Sequence, residues 1–462
     1  MTATAEDATH PTEAVGSGPV ARDPVGRSST AELTLIVSRR AHLNALRHLA
    51  EDLRAEEPGL RLFCFCPDDL IDDVVRAVGS EVAVSRLPRG PLLDLRRRLH
   101  TLLFNLLADR DFSPFFRRRV DSTVQSGKAT SHILRMGRRL TPKLDGPRLN
   151  RLLTNVLSAF SWRRTFPTSR VVALTMPIAP HLLCTRRHDI VSVLDGWDHP
   201  TKVPIGYRTR VVASWNTDLG DDWRRRQGCD EVIGAYPYRF AYLLEHRSNH
   251  APFRPLPGVR VRVLYAMATF PSRSTLHQRR HEEEIEAVKQ LHAWIRTQVE
   301  SFEVKPHPIG ETGHLDRLAA TCSGLIVHAY EESGAATYDL DDDYNLDRIR
   351  TLEAADVVVG IWTTFLLDAA VAGKAVAVLD LPADSPLTAL STAQHGPHVH
   401  HLRRRVSAVI HLGAQGPRFA SGAGIDDWLT EAVASGERVA VWVVPPAEPR
   451  LLARQLLAMA DR

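Results

Sequence analysis

The 462-residue chain has little lysine: six lysines stand against 52 arginines. Coding bias accounts for the ratio, yet Lys202, Lys305 and Lys374 all fall in segments singled out below. Cysteine is also scarce. The five present form no CxxC pair, which gives no basis for a disulfide scaffold or a zinc site and points to a reduced, cytoplasmic protein. Cys64 and Cys66 share one face of a predicted strand and read as buried apolar residues. No apolar run approaches the roughly 20 residues that cross a bilayer. The first residues lack the apolar centre of a secretory signal. Neither G-x-x-x-x-G-K-[ST] nor G-x-G-x-x-G occurs, so P-loop and dinucleotide readings lack support. No repeat of solenoid period is visible.

What is present is ordinary for a globular protein: 44% apolar residues, 24% charged and a net charge of +4. The length predicts two domains plus extensions. Residues 1–30, rich in Ala, Thr, Pro, Gly and Ser, read as a disordered lead-in. "ELTLIVS" (32–38), "LRLFCF" (60–65) and "EVAVSRL" (81–87) read as strands. Between them lie a helix from Arg39 to Leu53 and a helix over 68–78 capped by Asp68. This βαβαβ run opens a doubly wound sheet. Residues 91–165 interrupt it with arginine-rich helical sequence. Such helices can lie on an anionic membrane surface, or pack on their own domain with a solvated basic face.

Strands resume at 170–176, 189–195, 209–215 and 230–236, and "HAPFRPLPG" (250–258) reads as a linker. A second alternating unit follows, with strands at 259–267, 301–305, 324–330, 356–362 and 374–382. Its helices fall near 277–298, 313–322, 346–354 and 364–372. "VAVWVV" (439–444) reads as a late strand before an amphipathic terminal helix within 446–462. The fold class expected is therefore α/β, with two doubly wound Rossmann-like domains, 31–250 and 258–445, facing across a cleft. Open α/β sheets bind ligands beyond the carboxyl ends of their strands.

Four segments could carry chemistry there. In Lys305-Pro306-His307-Pro308 the prolines hold both preceding residues extended, so a cation and an imidazole are fixed at a strand end. Together they could neutralise a leaving phosphate; otherwise the segment is a rigid turn. Thr363 and Thr364 open a helix that Gly373 ends, and a helix start offers hydroxyls and N–H groups to an anion. Asp368, one turn on, could meet a ribose or sugar hydroxyl, although an ordinary cap explains the same residues. Asp195 ends a strand before a loop holding Trp197, Asp198, Thr201, Lys202 and Gly206. Asp195 or Asp198 could serve as general base for an acceptor hydroxyl, or the aspartates cap turns. Thr269 follows the 259–267 strand and could face the cleft. The acidic run 331–345 and the four histidines at 395, 398, 400 and 401 read as surface loops rather than metal sites.

Taken in order, these segments resemble the two-domain GT-B enzymes of bacterial surface-polysaccharide synthesis, most closely the CDP-glycerol glycerophosphotransferase and capsule-polysaccharide group. The counterparts are Ala268-Thr269, His307-Pro308, and Ala355-Asp356 with Thr363-Thr364, Asp368 and Gly373-Lys374. Trp197-Asp198-His199-Pro200-Thr201-Lys202 with Gly206 is similar to an acceptor-side loop of that group, and Gly234 to Pro237 to its glycine–proline turn. Threonines replace a serine pair, and Ala375 a proline.

The resemblance implies a metal-independent transferase that moves a glycosyl or polyol-phosphate group from a nucleotide-activated donor to a hydroxyl on a glycan or lipid-linked acceptor. The donor is a substrate, and no cofactor is expected. Donor phosphates would lie near Thr269, Lys305, His307, Thr363 and Thr364, with Asp368 on a donor hydroxyl. The implied location is the cytoplasm, with peripheral membrane contact through the basic helices and no nucleic-acid partner. Two other readings fit part of the pattern: a non-hydrolysing nucleotide-sugar 2-epimerase, and a non-catalytic basic protein that binds membrane or nucleic acid.

Overall fold

The computed structural model describes residues 31–38, 40–88, 143–158, 166–174, 189–194, 209–227, 229–248, 252–256, 258–269, 275–307, 313–328, 342–361, 363–382, 401–420, 424–444 and 450–460, with isolated positions between 90 and 107 and at 385, 422 and 448. Two seven-stranded sheets organise them. The first contains β1 (Glu32–Ile36), β2 (Arg61–Cys66), β3 (Ala83–Arg86), β4 (Arg170–Leu174), β5 (Asp189–Leu194), β6 (Thr209–Ser214) and β7 (Glu231–Gly234) in the order β3-β2-β1-β4-β5-β6-β7. Every pair in it is parallel. The second contains β8 (Arg262–Ala266), β9 (Ser301–Lys305), β10 (Leu325–Val327), β11 (Val357–Gly360), β12 (Ala375–Asp380), β13 (Val409–Gly413) and β14 (Gly416–Phe419) in the order β10-β9-β8-β11-β12-β13-β14. Only the β13–β14 hairpin is antiparallel. The α/β class and the two doubly wound sheets expected from the sequence are present.

The strands read as continuous apolar runs because both faces of each sheet are covered. On the first sheet, β2 alternates, with Leu62, Cys64 and Cys66 buried. Helices α1 (Leu43–Glu56) and α2 (Ile71–Val78) pack over that face. The expected Asp68 cap is corrected: a 3-10 turn, Asp68–Leu70, precedes α2, and no side chain caps the helix. Of the basic insertion, helix α3 (Gly146–Ser158) is the longest described stretch; 108–142, 159–165 and the lead-in 1–30 lie outside the described residues.

Helix α4 (Thr217–Gln227) follows β6, and α5 (Ala241–Ser248) follows β7. On the second sheet, α6 (Thr275–Ile295) and α7 (Gly313–Thr321) cover one face. Helices α8 (Asp342–Glu353) and α9 (Phe365–Val371), with α10 (Ile425–Val443), cover the other. The strand expected at 439–444 is instead the last turn of α10. Its valines favour a strand locally, but buried residues from Trp428 through Leu429, Ala432, Ser435, Gly436, Val439, Ala440 and Val443 recur at helical spacing. Gly436 is required by close approach: a Cβ there would lie 2.3 Å from the Lys374 carbonyl oxygen.

The chain then returns to the first sheet. Helix α11 (Leu451–Ala460) buries Leu452, Ala453 and Leu456 in the core shared with α1 and α2. A second joint lies at the start of α4. Asn216 donates from Nδ2 to the Trp442 carbonyl at 2.6 Å, and its Oδ1 accepts from the Asp218 N–H at 2.8 Å. Arg405 and the Trp442 indole both donate to Asp218 Oδ2, at 2.6 and 3.1 Å. His401, expected on a surface loop, is buried with Nε2 2.8 Å from Asp222 Oδ2. The other three histidines of that segment lie outside the described residues.

Candidate functional site

The second sheet brings the predicted donor residues to one edge. β8 lies between β9 and β11, and all three run parallel. Lys305 pairs with Ala266 in register, and Ala266 with Gly360. The three chains therefore leave the sheet side by side, spread over two strand spacings of roughly 4.8 Å each. Pro306-His307 follows β9, Met267-Ala268-Thr269 follows β8, and Ile361 and then Thr363-Thr364 follow β11. Connections leave β8 and β11 to opposite sides of the sheet, so this is its topological switch point, where a crevice opens at the strand ends.

At the β11 end, Thr363 and Thr364 are half-buried. Thr363 is the residue that caps α9: its Oγ1 accepts the Phe365 N–H at 3.3 Å, whereas Thr364 is already helical and its side chain makes no cap bond. Gly373, at φ +78°, closes the helix in the left-handed conformation, and the Lys374 N–H returns to the Ala369 carbonyl at 2.9 Å.

At the β9 end, His307 is half-buried, while Lys305 turns inward. Its ammonium lies 3.3 Å from Thr351 Oγ1, 3.7 Å from Asp347 Oδ2 and 5.7 Å from the centroid of the Phe365 ring. Burial lowers its pKa to about 8, against the pull of Asp347, and Arg348 adds to the lowering. Lys305 thus supplies a field from beneath the strand end rather than an exposed contact.

Two expectations change in the structure. Asp368 does not open toward a sugar hydroxyl: its carboxylate is 1% exposed and takes a short hydrogen bond from Arg348 of α8. All seven residues of α9 are buried, so an acidic side chain there needs an internal cation. Arg348 also lies 5.3 Å above the Phe365 ring. Thr269 stands at the expected edge but is buried, and its hydroxyl bonds to the carboxylate of Glu284, on α6.

Glu284, His281, Arg348, Asp347 and Thr351 are the residues that motif reading passes over. For all but the exposed Asp347, the signal was a charged or polar residue on the inward stripe of a helix, visible only once α6 and α8 are in register with the sheet. Asp356 and Lys374, counterparts of the family pattern, sit at the opposite edge. Asp356 accepts from the Arg262 backbone N–H at 2.9 Å and from its guanidinium at 3.1 and 2.8 Å, pinning β8 to β11. Burial would raise the Asp356 carboxyl, but these bonds outweigh it and hold the pKa below the ordinary value.

Asp195, Trp197, Asp198, Thr201, Lys202 and Gly206 lie outside the described residues. Asp189–Leu194, the strand that leads to them, is central in the first sheet between β4 and β6. Among the described residues, no group of three or more His, Cys, Asp or Glu is placed to hold a metal, and no helix is long and apolar enough to cross a membrane.

Comparison with solved structures finds chains similar in fold. One is the MurG protein of Acinetobacter baumannii, with 9% identity, covering 94% of this chain and 100% of that one at a TM-score of 0.42. Another is a glycosyltransferase from Rickettsia africae, with 9% identity over 94% and 98% of the two chains and a TM-score of 0.44. A third is the UDP-GlcNAc 2-epimerase of Neisseria meningitidis bound to UDP-GlcNAc, with 10% identity over 93% and 98% and a TM-score of 0.45. No family model matches the sequence. No curated protein matches it.

Proposed function

We propose that the protein is a transferase that moves a glycosyl or polyol-phosphate group from a nucleotide-activated donor to a hydroxyl acceptor in surface-glycan synthesis. One observation carries the reading: a cation, an imidazole and a hydroxyl-bearing helix start converge on the switch-point edge of a single parallel sheet. That edge is where α/β folds place anionic ligands. In the proposed reaction the acceptor oxygen attacks the transferred group and the bond to the donor phosphate breaks. Negative charge grows on that phosphate as it departs. His307, Thr363 and Thr364 meet it, and the buried Lys305 charge lowers its energy from behind. A base on the acceptor side, Asp195 or Asp198, takes the acceptor proton. Trp197, Thr201, Lys202 and Gly206 would shape the acceptor loop, and the acceptor would be a glycan or a lipid-linked glycan at the cytoplasmic membrane face.

The test is His307→Ala assayed against CDP-, UDP-, GDP- and CMP-linked donors found by thermal shift. One preorganised donor of this kind is worth roughly 3 kcal/mol, so turnover should fall about a hundredfold with donor KM nearly unchanged. Equal losses in turnover and affinity would reduce His307 to a binding role. Conversion of the donor with no acceptor present would replace the transferase reading with an epimerase.

A further inference from the structure

The turn that leaves β8 at the switch point is held from below by one side chain. Glu284 is fully buried, and both of its oxygens are occupied. Oε1 accepts the Ala268 N–H at 2.8 Å and the Tyr265 hydroxyl at 3.2 Å. Oε2 accepts the Thr269 N–H at 2.8 Å and the Thr269 hydroxyl. His281, one turn earlier on α6, places Nδ1 3.4 Å from the same hydroxyl. Two consecutive N–H groups converging on one acceptor form an anion-binding concavity, the kind that takes a phosphate in glycine-rich strand–helix turns. Here a carboxylate of the chain itself fills it.

Burying a carboxylate is costly unless its oxygens are hydrogen-bonded, as all the bonds above make them here. Burial pushes the Glu284 carboxyl above its ordinary range, with the two N–H groups and two hydroxyls pulling the other way. The bonds go to the loop that ends β8 rather than to another helix. Their effect is to fix a strand end that, unlike β9, is not followed directly by a proline and, unlike β11, does not run straight into a helix.

Resting on the transferase reading, we infer that Glu284 is a positioning residue: it stands in for an anion beneath the β8 turn, locks that turn as a wall of the crevice, and leaves the donor phosphates to the β9 and β11 ends. The Ala268 and Thr269 N–H groups, turned inward, take no part in holding the donor.

The test compares the full-length wild type with Glu284→Gln, which is nearly isosteric but places an NH₂ donor against at least one of the loop's own donors. Deuterium exchange is read on a peptide covering 266–269. The expected result is exchange at Ala268 and Thr269 at least tenfold faster, with the β8 amides unchanged. For whichever nucleotide-linked donor the wild type turns over, donor KM should rise at least fivefold. A purely structural role would lower the melting temperature and leave KM and kcat of the folded protein at wild-type values. That outcome, or unchanged exchange, overturns the inference. Should Glu284→Gln fail to fold, Thr269→Val removes one hydroxyl bond and keeps both N–H bonds. Exchange two- to fivefold faster is then expected, and no change overturns the proposal. A wild type that turns over no donor sinks the transferase reading, while the exchange comparison still decides whether Glu284 locks the turn.

Discussion

Replacing Asp368 with alanine should unfold the protein far more readily than it should weaken donor binding. The reasoning starts from burial: the side chains of Arg348 and Asp368 are 9% and 1% exposed, and they hydrogen-bond to each other. Removing the carboxylate leaves a guanidinium in low dielectric facing the Phe365 ring and, nearby, the Lys305 ammonium. Breaking a buried pair from one side costs about 3–5 kcal/mol, more than a hundredfold in the folding equilibrium. Replacing both members by apolar residues of similar volume, Arg348→Met with Asp368→Leu, should recover most of that loss, because neither desolvation cost remains. The assay is equilibrium denaturation of the wild type, Asp368→Ala, Asp368→Leu, Arg348→Met and the Arg348→Met/Asp368→Leu double variant. The coupling should be large, with the double variant more stable than Asp368→Ala alone. A cost below about 1 kcal/mol for Asp368→Ala, or simple additivity in the double variant, would refute the buried-pair account. Loss of donor affinity at unchanged stability would return Asp368 to the donor-hydroxyl role.

Four further outcomes follow from the same geometry. Lys305 has its folded pKa lowered from 10.5 to about 8, so the unfolded chain binds the extra proton between those values; stability should rise with pH across that window, and Lys305→Met should flatten the rise. Donor affinity, measured by calorimetry, should weaken as pH passes about 8 and the ammonium discharges. Asp356 has its folded pKa held down by Arg262, so its stabilisation is present above the unfolded value of 3.8 and disappears as pH falls through the lower folded value; Asp356→Ala should cost about 1.5–3 kcal/mol in denaturation at neutral pH and remove that acid sensitivity. Gly436→Ala should cost about 1–3 kcal/mol by thermal or chemical unfolding, because its Cβ would meet the backbone oxygen of Lys374 at 2.3 Å and backbone cannot swing aside.

The sheet was largely readable from the chain. Each expected strand from 32–38 to 374–382 has a counterpart, because buried parallel strands are runs of β-branched residues bounded by turn residues. Ser301–Lys305 matches residue for residue, since Glu300 and Pro306 bracket it. The β13–β14 hairpin escaped notice: a Gly–Ala–Gln–Gly connection joins two strands that are only partly apolar. Residues 439–444 look like a strand because six residues alone do not show the stripe that the fourteen helical residues before them establish. At the site, the positions of Lys305, His307, Thr269, Thr363 and Thr364 along the edge were legible, because strand ends are set by topology. Which way each side chain turns was not. Lys305, Thr269 and Asp368 all turn toward partners on α6 and α8, contributed by residues up to 46 positions away. Local sequence carries no record of such meetings.

The return of α11 to the first sheet has a consequence for how the protein is made. Leu452, Ala453 and Leu456 complete a core whose other walls, α1 and β1, leave the ribosome some 400 residues earlier. The amino-terminal half therefore keeps an apolar groove open until α11 has been made. A cut at the 250–258 linker should therefore leave the first sheet without Leu452, Ala453 and Leu456 in its core.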